Sequence, residues 1–321
     1  MKNSLVSIAM CTYNGSKFIK EQLDSILEQS YNNFELIIVD DMSKDDTVDI
    51  INKYMQKDTR IKFFQNQKNL GFLKNFEKAM SFCSGEYIAL ADQDDIWKKN
   101  KLEVFLQEIK DNILIYSDAI LIDENSKKLN KEFIRPESNL VKGKCNKSFI
   151  FNNCVSGNTL MFKKELMSYI LPIPKKIRFH DIWIAFVAST IGTITYTEKS
   201  YTYYRRYDGQ ITKHIEKSYS SIVDKLKKKE KQYKERAKII VDYCLEFRTI
   251  ENLDEEIKNI LDTIIEHNLN YEIGYFNIKM FKCLKKYKDE LFSIKNIAKR
   301  NRNIRRYSVK NKLHKLLMYS L

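Results

Sequence analysis

The chain is predicted to be an α/β protein with a mostly parallel sheet covered by helices on both faces. Two observations carry that prediction. Short apolar runs alternate with segments of helical period through the first half of the 321 residues, and such alternation builds strand–helix–strand units. The runs also end in polar or acidic clusters, most densely at Asp92-Gln93-Asp94-Asp95 after Tyr87-Ile88-Ala89-Leu90-Ala91. Open sheets of this kind bind ligands at the carboxyl ends of their strands.

Strands are expected at Leu5–Met10, Phe34–Val39, Ile61–Gln65, Tyr87–Ala91 and Ile113–Ile122. Between them Ser16–Gln29, Asp46–Gln56, Leu70–Cys83 and Lys98–Ile109 place apolar residues three and four apart, as in Ile19, Leu23, Ile26 and Leu27. Ser156–Phe162 and Gly192–Arg205 read as two further strands, with a short helix near Asp181–Thr190 between them. Beyond about Thr212 the pattern becomes helical, over Ser218–Phe247, Asn252–Asn268 and much of 270–319. The expected boundary lies near 212–216, giving units 1–212 and 213–321.

This length holds one large domain with an appendage, or two domains, around a proper core. With 43% apolar and 31% charged residues the chain reads as globular and soluble. It has no apolar stretch long enough to span a bilayer, and Met1-Lys2-Asn3-Ser4 is not a signal peptide. Six scattered cysteines (Cys11, Cys83, Cys145, Cys154, Cys244, Cys283) suit a reducing cytosol and offer no zinc spacing. The net charge of +14 is uneven: from Lys279 to Leu321 fourteen Lys and Arg face only Asp289 and Glu290. The main body is nearly neutral and the tail strongly basic.

Three carboxylates within four residues repel one another, and burial raises their pKa values. A divalent cation removes the difficulty, because Mg²⁺ or Mn²⁺ takes hard oxygen ligands and shares itself with substrate phosphates. A metal and a diphosphate are therefore expected there; the plainer alternative makes Asp95 the N-cap of a helix beginning at Ile96-Trp97-Lys98. Cys11-Thr12-Tyr13-Asn14-Gly15 and Asp40-Asp41-Met42-Ser43 close the first two strands on the same edge. A nucleotide base could stack on Tyr13 while Asp41 accepts its ring N–H, or both could be turn and cap chemistry. Asn66-Gln67-Lys68-Asn69-Leu70-Gly71 leads into a helix whose free N–H groups can face an anion. Asp181, preceded by His180 and followed by Ile182-Trp183, reads as a general base or an N-cap. In Tyr203-Tyr204-Arg205-Arg206-Tyr207 the arginines suit phosphate, or blunt an edge strand.

Taken together these residues resemble the glycosyltransferase family 2 pattern on the GT-A fold. The resemblance covers about residues 4–212. It rests on Cys11-Thr12-Tyr13-Asn14, Val39-Asp40-Asp41-Met42-Ser43, Asn69-Leu70-Gly71, Gly85-Glu86-Tyr87-Ile88, Asp92-Gln93-Asp94-Asp95, Ser156-Gly157-Asn158 and His180-Asp181. The form Ala91-Asp92-Gln93-Asp94-Asp95-Ile96-Trp97 is similar to that of bacterial members building cell-surface polysaccharides, many described as rhamnosyltransferases.

The resemblance implies a Rossmann-like mixed sheet flanked by helices, with a C-terminal helical extension. It implies that Thr12, Tyr13, Asn14, Asp41, Asn69, Gly71, Asp92 and Gln93 bind the nucleotide-sugar. Tyr13 would stack on the base, Asp41 would bind its edge and Asp92 would reach the ribose. Asp94, with Asp92 as a second candidate, would hold Mg²⁺ or Mn²⁺. Gly157, Asn158, His180 and Trp183 would lie on the acceptor and sugar side. Asp181 would deprotonate the acceptor hydroxyl in an inverting single displacement. Relatives carry Tyr-Arg-x-His followed by Asn where this chain has Tyr204-Arg205-Arg206-Tyr207 and Gln210, so the phosphate contact passes to Arg205 or Arg206. The Gln-x-x-Arg-Trp signature and membrane helices of processive synthases are absent, implying one sugar per encounter. The donor would be dTDP-rhamnose or a UDP-sugar, and the acceptor a polysaccharide or lipid-linked saccharide. The basic tail would rest on the anionic inner face of the plasma membrane.

A nucleotidyltransferase would want a Gly-rich, basic phosphate loop after the first strand, and Thr12–Lys17 lacks one. A nucleic-acid-binding protein run by its tail leaves the acidic cluster unexplained, so no nucleic-acid partner is expected.

Overall fold

The computed structural model describes residues 3–133, 139–208, 210, 222–251, 253–269 and 276–309, with backbone alone for Asn130 and for 222–234. The expected boundary at 212–216 and the basic residues Lys310, Lys312 and Lys315 lie outside the described residues. The chain forms two compact units, one of residues 1–136, 140–145 and 154–213, the other of 137–139, 146–153 and 214–321.

In the first unit, β1 (Val6–Thr12), α1 (Ile19–Leu27), β2 (Phe34–Asp40), α2 (Thr47–Met55), β3 (Ile61–Gln65), α3 (Phe72–Ser81) and β4 (Tyr87–Asp92) follow the predicted alternation. They are followed by β5 (Ile96–Trp97), α4 (Lys101–Ile109), β6 (Leu114–Tyr116), β7 (Ala119–Ile122) and β8 (Lys128–Glu132). The unit closes with β9 (Leu160–Lys163), α5 (Met167–Ile170), α6 (His180–Ile191), β10 (Ile194–Tyr196) and β11 (Thr202–Arg205). The main sheet has the order β10-β6-β9-β4-β1-β2-β3. All its pairs are parallel except those of β9, which runs antiparallel to both β4 and β6. The sheet is therefore mixed. β1 and β2 are apolar almost throughout, as strands covered on both faces must be; Ile8, Leu36, Ile38 and Ala89 are fully buried against Ile19, Leu23 and Ile26 of α1.

Three expected strands are each interrupted. Ile113–Ile122 is two strands in two sheets, broken at Ser117-Asp118, where the Asp118 carboxylate accepts from the Ala119 N–H at 2.7 Å. Ser156–Phe162 opens with a turn of 3₁₀ helix at Gly157–Thr159, capped reciprocally by Ser156 and Thr159, before β9 begins. Gly192–Arg205 divides at Thr197, whose hydroxyl donates to the Lys199 carbonyl at 2.6 Å. Each break falls at a hydroxyl or carboxyl able to bond the local backbone, which competes with the strand ladder. The second sheet has the order β5-β11-β7-β8. Ile96 and Trp97 pair with β11 there, so Asp95 does not cap a helix.

The second unit contains α7 (Ile222–Arg248), α8 (Glu255–Leu269), α9 (Ile278–Lys286), α10 (Lys288–Leu291) and α11 (Ile297–Ser308). Val241, Cys244 and Phe247 of α7 are buried with Ile257, Ile260, Leu261 and Ile264 of α8. Residues 146–153 add Phe151, whose ring lies 5.4 Å from Phe292 and 4.6 Å from Tyr307. Asn277 and Asn296 cap α9 and α11 by accepting from the Met280 and Lys299 N–H groups. Ile304 and Val309 are buried, and Tyr307 stacks on Phe292. Among the described residues no helix is long and apolar enough to cross a membrane.

Candidate active site

The parallel register aligns the ends of three strands. Cys11 pairs with Val39 and with Asp92, and Thr12 with Asp40. The segments following β1, β2 and β4 therefore emerge side by side, and they are laced together by side chain–backbone bonds. Asn14 N–H donates to Ser43 Oγ at 2.8 Å, Gly15 N–H to Thr47 Oγ1 at 2.8 Å, and Ser16 N–H to Asp45 at 3.0 Å. Lys44 N–H returns a bond to Asn14 Oδ1 at 2.9 Å. Asn14 and Met42 adopt positive φ, 47° and 70°, at these turns.

The two aspartates after β2 have different surroundings. Asp40 is fully buried and accepts from Thr12 Oγ1 at 2.8 Å and Ser43 N–H at 2.8 Å. Asp41 is the anion that meets the free N–H groups before α3. Its carboxylate accepts from Leu70 N–H at 2.7 Å, Gly71 N–H at 2.8 Å and Asn66 Nδ2 at 2.8 Å. Asn69 braces the same turn by donating to the Asp41 carbonyl at 3.1 Å, and Gly71 takes the φ of 79° that the turn needs. Thr12, Asp41, Asn69 and Gly71 thus come together as a rigid wall, with Tyr13 beside them 47% exposed.

Asp92 and Asp94 are half-buried, whereas Asp95 is fully buried. Burial, then the charges of Asp94 and Asp181, push the Asp92 carboxyl up to about 7, against the pull of Lys101. Asp181 at the start of α6 therefore stands within electrostatic reach of the strand end. Burial also raises Asp94, opposed by hydrogen bonds from Tyr207 and Gln210 and by the Arg205 charge. Asp95 is raised well above the usual carboxylate range by burial and by its two acidic neighbours. Carboxyls whose anions are this poorly compensated suit a hard cation. Among the described residues no group of three or more His, Cys, Asp or Glu encloses such an ion.

Several expected contacts take other roles. The Arg205 guanidinium is fully buried. It donates to the Asp94 carbonyl at 2.7 Å, Ser126 Oγ at 2.9 Å and Glu21 at 3.1 Å, and lies 4.6 Å over the Phe18 ring. It is a strut beneath the acidic turn, closed off from solvent. Arg206 lies half-exposed over the Tyr204 ring at 4.9 Å. Asn158 is 1% exposed, donates to the Asp95 carboxylate and accepts at its carbonyl from Lys101 Nζ at 2.6 Å. Trp183 is a core residue whose indole N–H donates to the Ile170 carbonyl at 2.9 Å. His180 is buried against Phe76, 4.3 Å between centroids, and burial lowers its pKa to about 4. Gly157 is required there, since a Cβ would stand 2.3 Å from His180 Nε2.

The sequence reading missed Lys101 and Gln22. Lys101 is fully buried, 3.6 Å over the Trp97 ring; burial pushes its pKa well below the usual lysine range, and the charges of Asp95 and Asp92 pull it back up. Gln22 donates to the Asp92 carbonyl at 2.7 Å. Both sit at helix positions that repeat with the apolar stripe, Lys101 beside Leu102 and Phe105, Gln22 beside Ile19, Leu23 and Ile26. A polar residue in register with such a stripe was the available signal.

The family model of glycosyl transferase family 2 matches residues 7–169. A glycosyltransferase of Methanocaldococcus jannaschii is 35% identical over 196 residues, covering 59% of this chain and 67% of the relative. The Escherichia coli enzyme WfgD, named a UDP-Glc:α-D-GlcNAc-diphosphoundecaprenol β-1,3-glucosyltransferase, is 36% identical over 139 residues, covering 43% of this chain and 53% of that one. Among solved structures, S. aureus TarS in complex with UDP-GlcNAc superposes with a TM-score of 0.58 at 21% identity, covering 89% of this chain and 81% of that one. The Pyrobaculum calidifontis mannosyltransferase PcManGT, with GDP-Man and Mn²⁺, gives 0.56 at 16% identity, covering 84% and 71%. The chain belongs to glycosyl transferase family 2 and has the GT-A fold.

Proposed function

We propose that this chain is an inverting, metal-dependent glycosyltransferase that moves one sugar at a time from a nucleoside-diphosphate sugar to a hydroxyl of a polysaccharide or lipid-linked saccharide. The observation that carries the proposal is the acidic end of β4 at Asp92 and Asp94, emerging beside the exposed Tyr13 ring, with the Asp181 charge felt at Asp92. Rhamnosyl and other hexosyl donors both fit this reading. The names of WfgD and TarS-bound UDP-GlcNAc support a diphosphate donor.

In this mechanism Tyr13 offers its ring to the base, and the Asp41 turn sets the wall beside it. Asp92 would reach the ribose and Asp94 would hold the metal. A bound Mg²⁺ or Mn²⁺ would neutralise the leaving diphosphate. Arg205 and Lys101 act from behind, fixing the acidic turn through the Asp94 carbonyl and through Asn158. Asp181 takes the proton of the attacking acceptor hydroxyl, while neutral His180, next to it in sequence, packs on Phe76. The proposed catalytic domain spans 1–212. Exposed Arg302 and Arg305 on α11 support peripheral association of the C-terminal unit with an anionic leaflet at the cytoplasmic face.

A thermal-shift panel of UDP-, GDP- and dTDP-sugars with and without Mn²⁺ tests the proposal. One donor class should raise the melting temperature only when metal is present. No metal-dependent shift with any of them contradicts it.

A further inference from the structure

We propose that Gln93 is a positioning residue for donor binding, tying the segment that carries Tyr13 to the one that carries Asp94 and acting on the nucleotide through Tyr13. This rests on the base-stacking part of the reading above. Tyr13 N–H donates to Gln93 Oε1 at 2.8 Å, and Gln93 Nε2 donates to the Tyr13 carbonyl at 3.0 Å. One planar amide thus makes with Tyr13 the pair of bonds that a neighbouring strand would make. The backbone on both sides of Tyr13 is held while its ring stays 47% exposed. Gly15 shows how closely the carboxamide is seated. A Cβ at Gly15 would stand 2.2 Å from Gln93 Oε1 and 2.5 Å from its Cδ, so a side chain there would force the amide off Tyr13. The other end of the clamp is firm as well, because Gln22 holds the Asp92 carbonyl at 2.7 Å. An aromatic ring pre-set in this way loses less freedom when a base stacks on it.

The test is calorimetric titration of UDP, GDP and dTDP, each with Mn²⁺, carrying forward whichever the wild type binds most tightly. Tyr13→Ala should weaken binding about 10-fold, the scale of one base–aromatic stack. Gln93→Ala should weaken it by about 5- to 10-fold, a typical coupling between contacting residues. The Tyr13→Ala/Gln93→Ala pair should lose no more than the worse single variant. Gly15→Ala should mimic Gln93→Ala and add nothing to it, and Mn²⁺ binding without nucleotide, read by electron paramagnetic resonance, should stay unchanged in both. Additive losses in the pair would mean that Gln93 touches the nucleotide itself and overturn the proposal. So would full affinity in Gln93→Ala, or loss of Mn²⁺ binding alone. If the wild type binds no nucleoside diphosphate, the functional reading falls first and this one with it.

Discussion

Glu35 shows how much of this fold is held by single polar side chains. It stands buried on β2 and accepts from Ser7 Oγ at 2.5 Å, Ser84 N–H and Oγ at 2.7 Å, and Lys62 Nζ at 2.7 Å. Burial alone would raise its pKa, but the bonds from Lys62, Ser7 and Ser84 outweigh it and hold the carboxyl at about 2. A depressed carboxyl stabilises the fold above its unfolded pKa and loses that contribution as pH falls through the folded value. The contribution at neutral pH is on the order of 3 kcal/mol. Urea unfolding of the wild type should therefore weaken between pH 5 and pH 2.5 (roughly the window spanned by the two pKa values). Glu35→Gln should be less stable at pH 7 and show a shallower acid slope; equal slopes would contradict the assignment. At this scale the sequence disclosed acidic groups well and their partners poorly. Asp92, Asp94 and Asp95 stood out because carboxylates ending an apolar run are unusual. Arg205 read as a phosphate contact or an edge-strand charge, and Lys101 as a solvent-facing cation, because nothing in the sequence shows that the fold encloses them.

At the scale of elements, the amphipathic helices were legible because a three- and four-residue apolar period survives without knowledge of partners. Strands were legible as apolar runs but not as separate members of two sheets. The breaks at Ser117-Asp118, Gly157–Thr159 and Thr197 depend on local side chain–backbone bonds that compete with the ladder only in the folded context. β8, with Lys128, Lys131 and Glu132, carried too much charge to be recognised as an edge strand. In α11 the basic residues were visible and the fate of the apolar ones was not. Ile304 is spent on packing, and Arg300 pairs with Asp289, which leaves Lys295 just before the helix, and Arg302 and Arg305 on it, exposed to solvent. Reversing these three to Glu should lower sedimentation with anionic liposomes and leave neutral liposomes unaffected, at about 1 kcal/mol per charge near the surface. High salt should reproduce the loss in the wild type. Unchanged sedimentation of the triple variant would remove this face as an anchor.

At the scale of the whole molecule, an α/β unit followed by a helical one could be read from the change in period after the last strand. The antiparallel β9 between β4 and β6 could not, since apolar runs carry no direction. The main sheet nonetheless delivers three polar strand ends to one edge, because β4-β1-β2 is parallel and in close register. That edge, with Asp181, is the centre of the proposed chemistry, and two substitutions separate its parts. Binding of Mn²⁺ with the preferred nucleoside-diphosphate sugar should be lost in Asp94→Asn and kept in Asp181→Asn. Transfer to acceptor in Asp181→Asn should fall by about 10²–10⁴-fold. The most direct single measurement is the calorimetric titration of that donor, with Mn²⁺, into Asp94→Asn: the account predicts no metal-dependent binding, and wild-type affinity would contradict it.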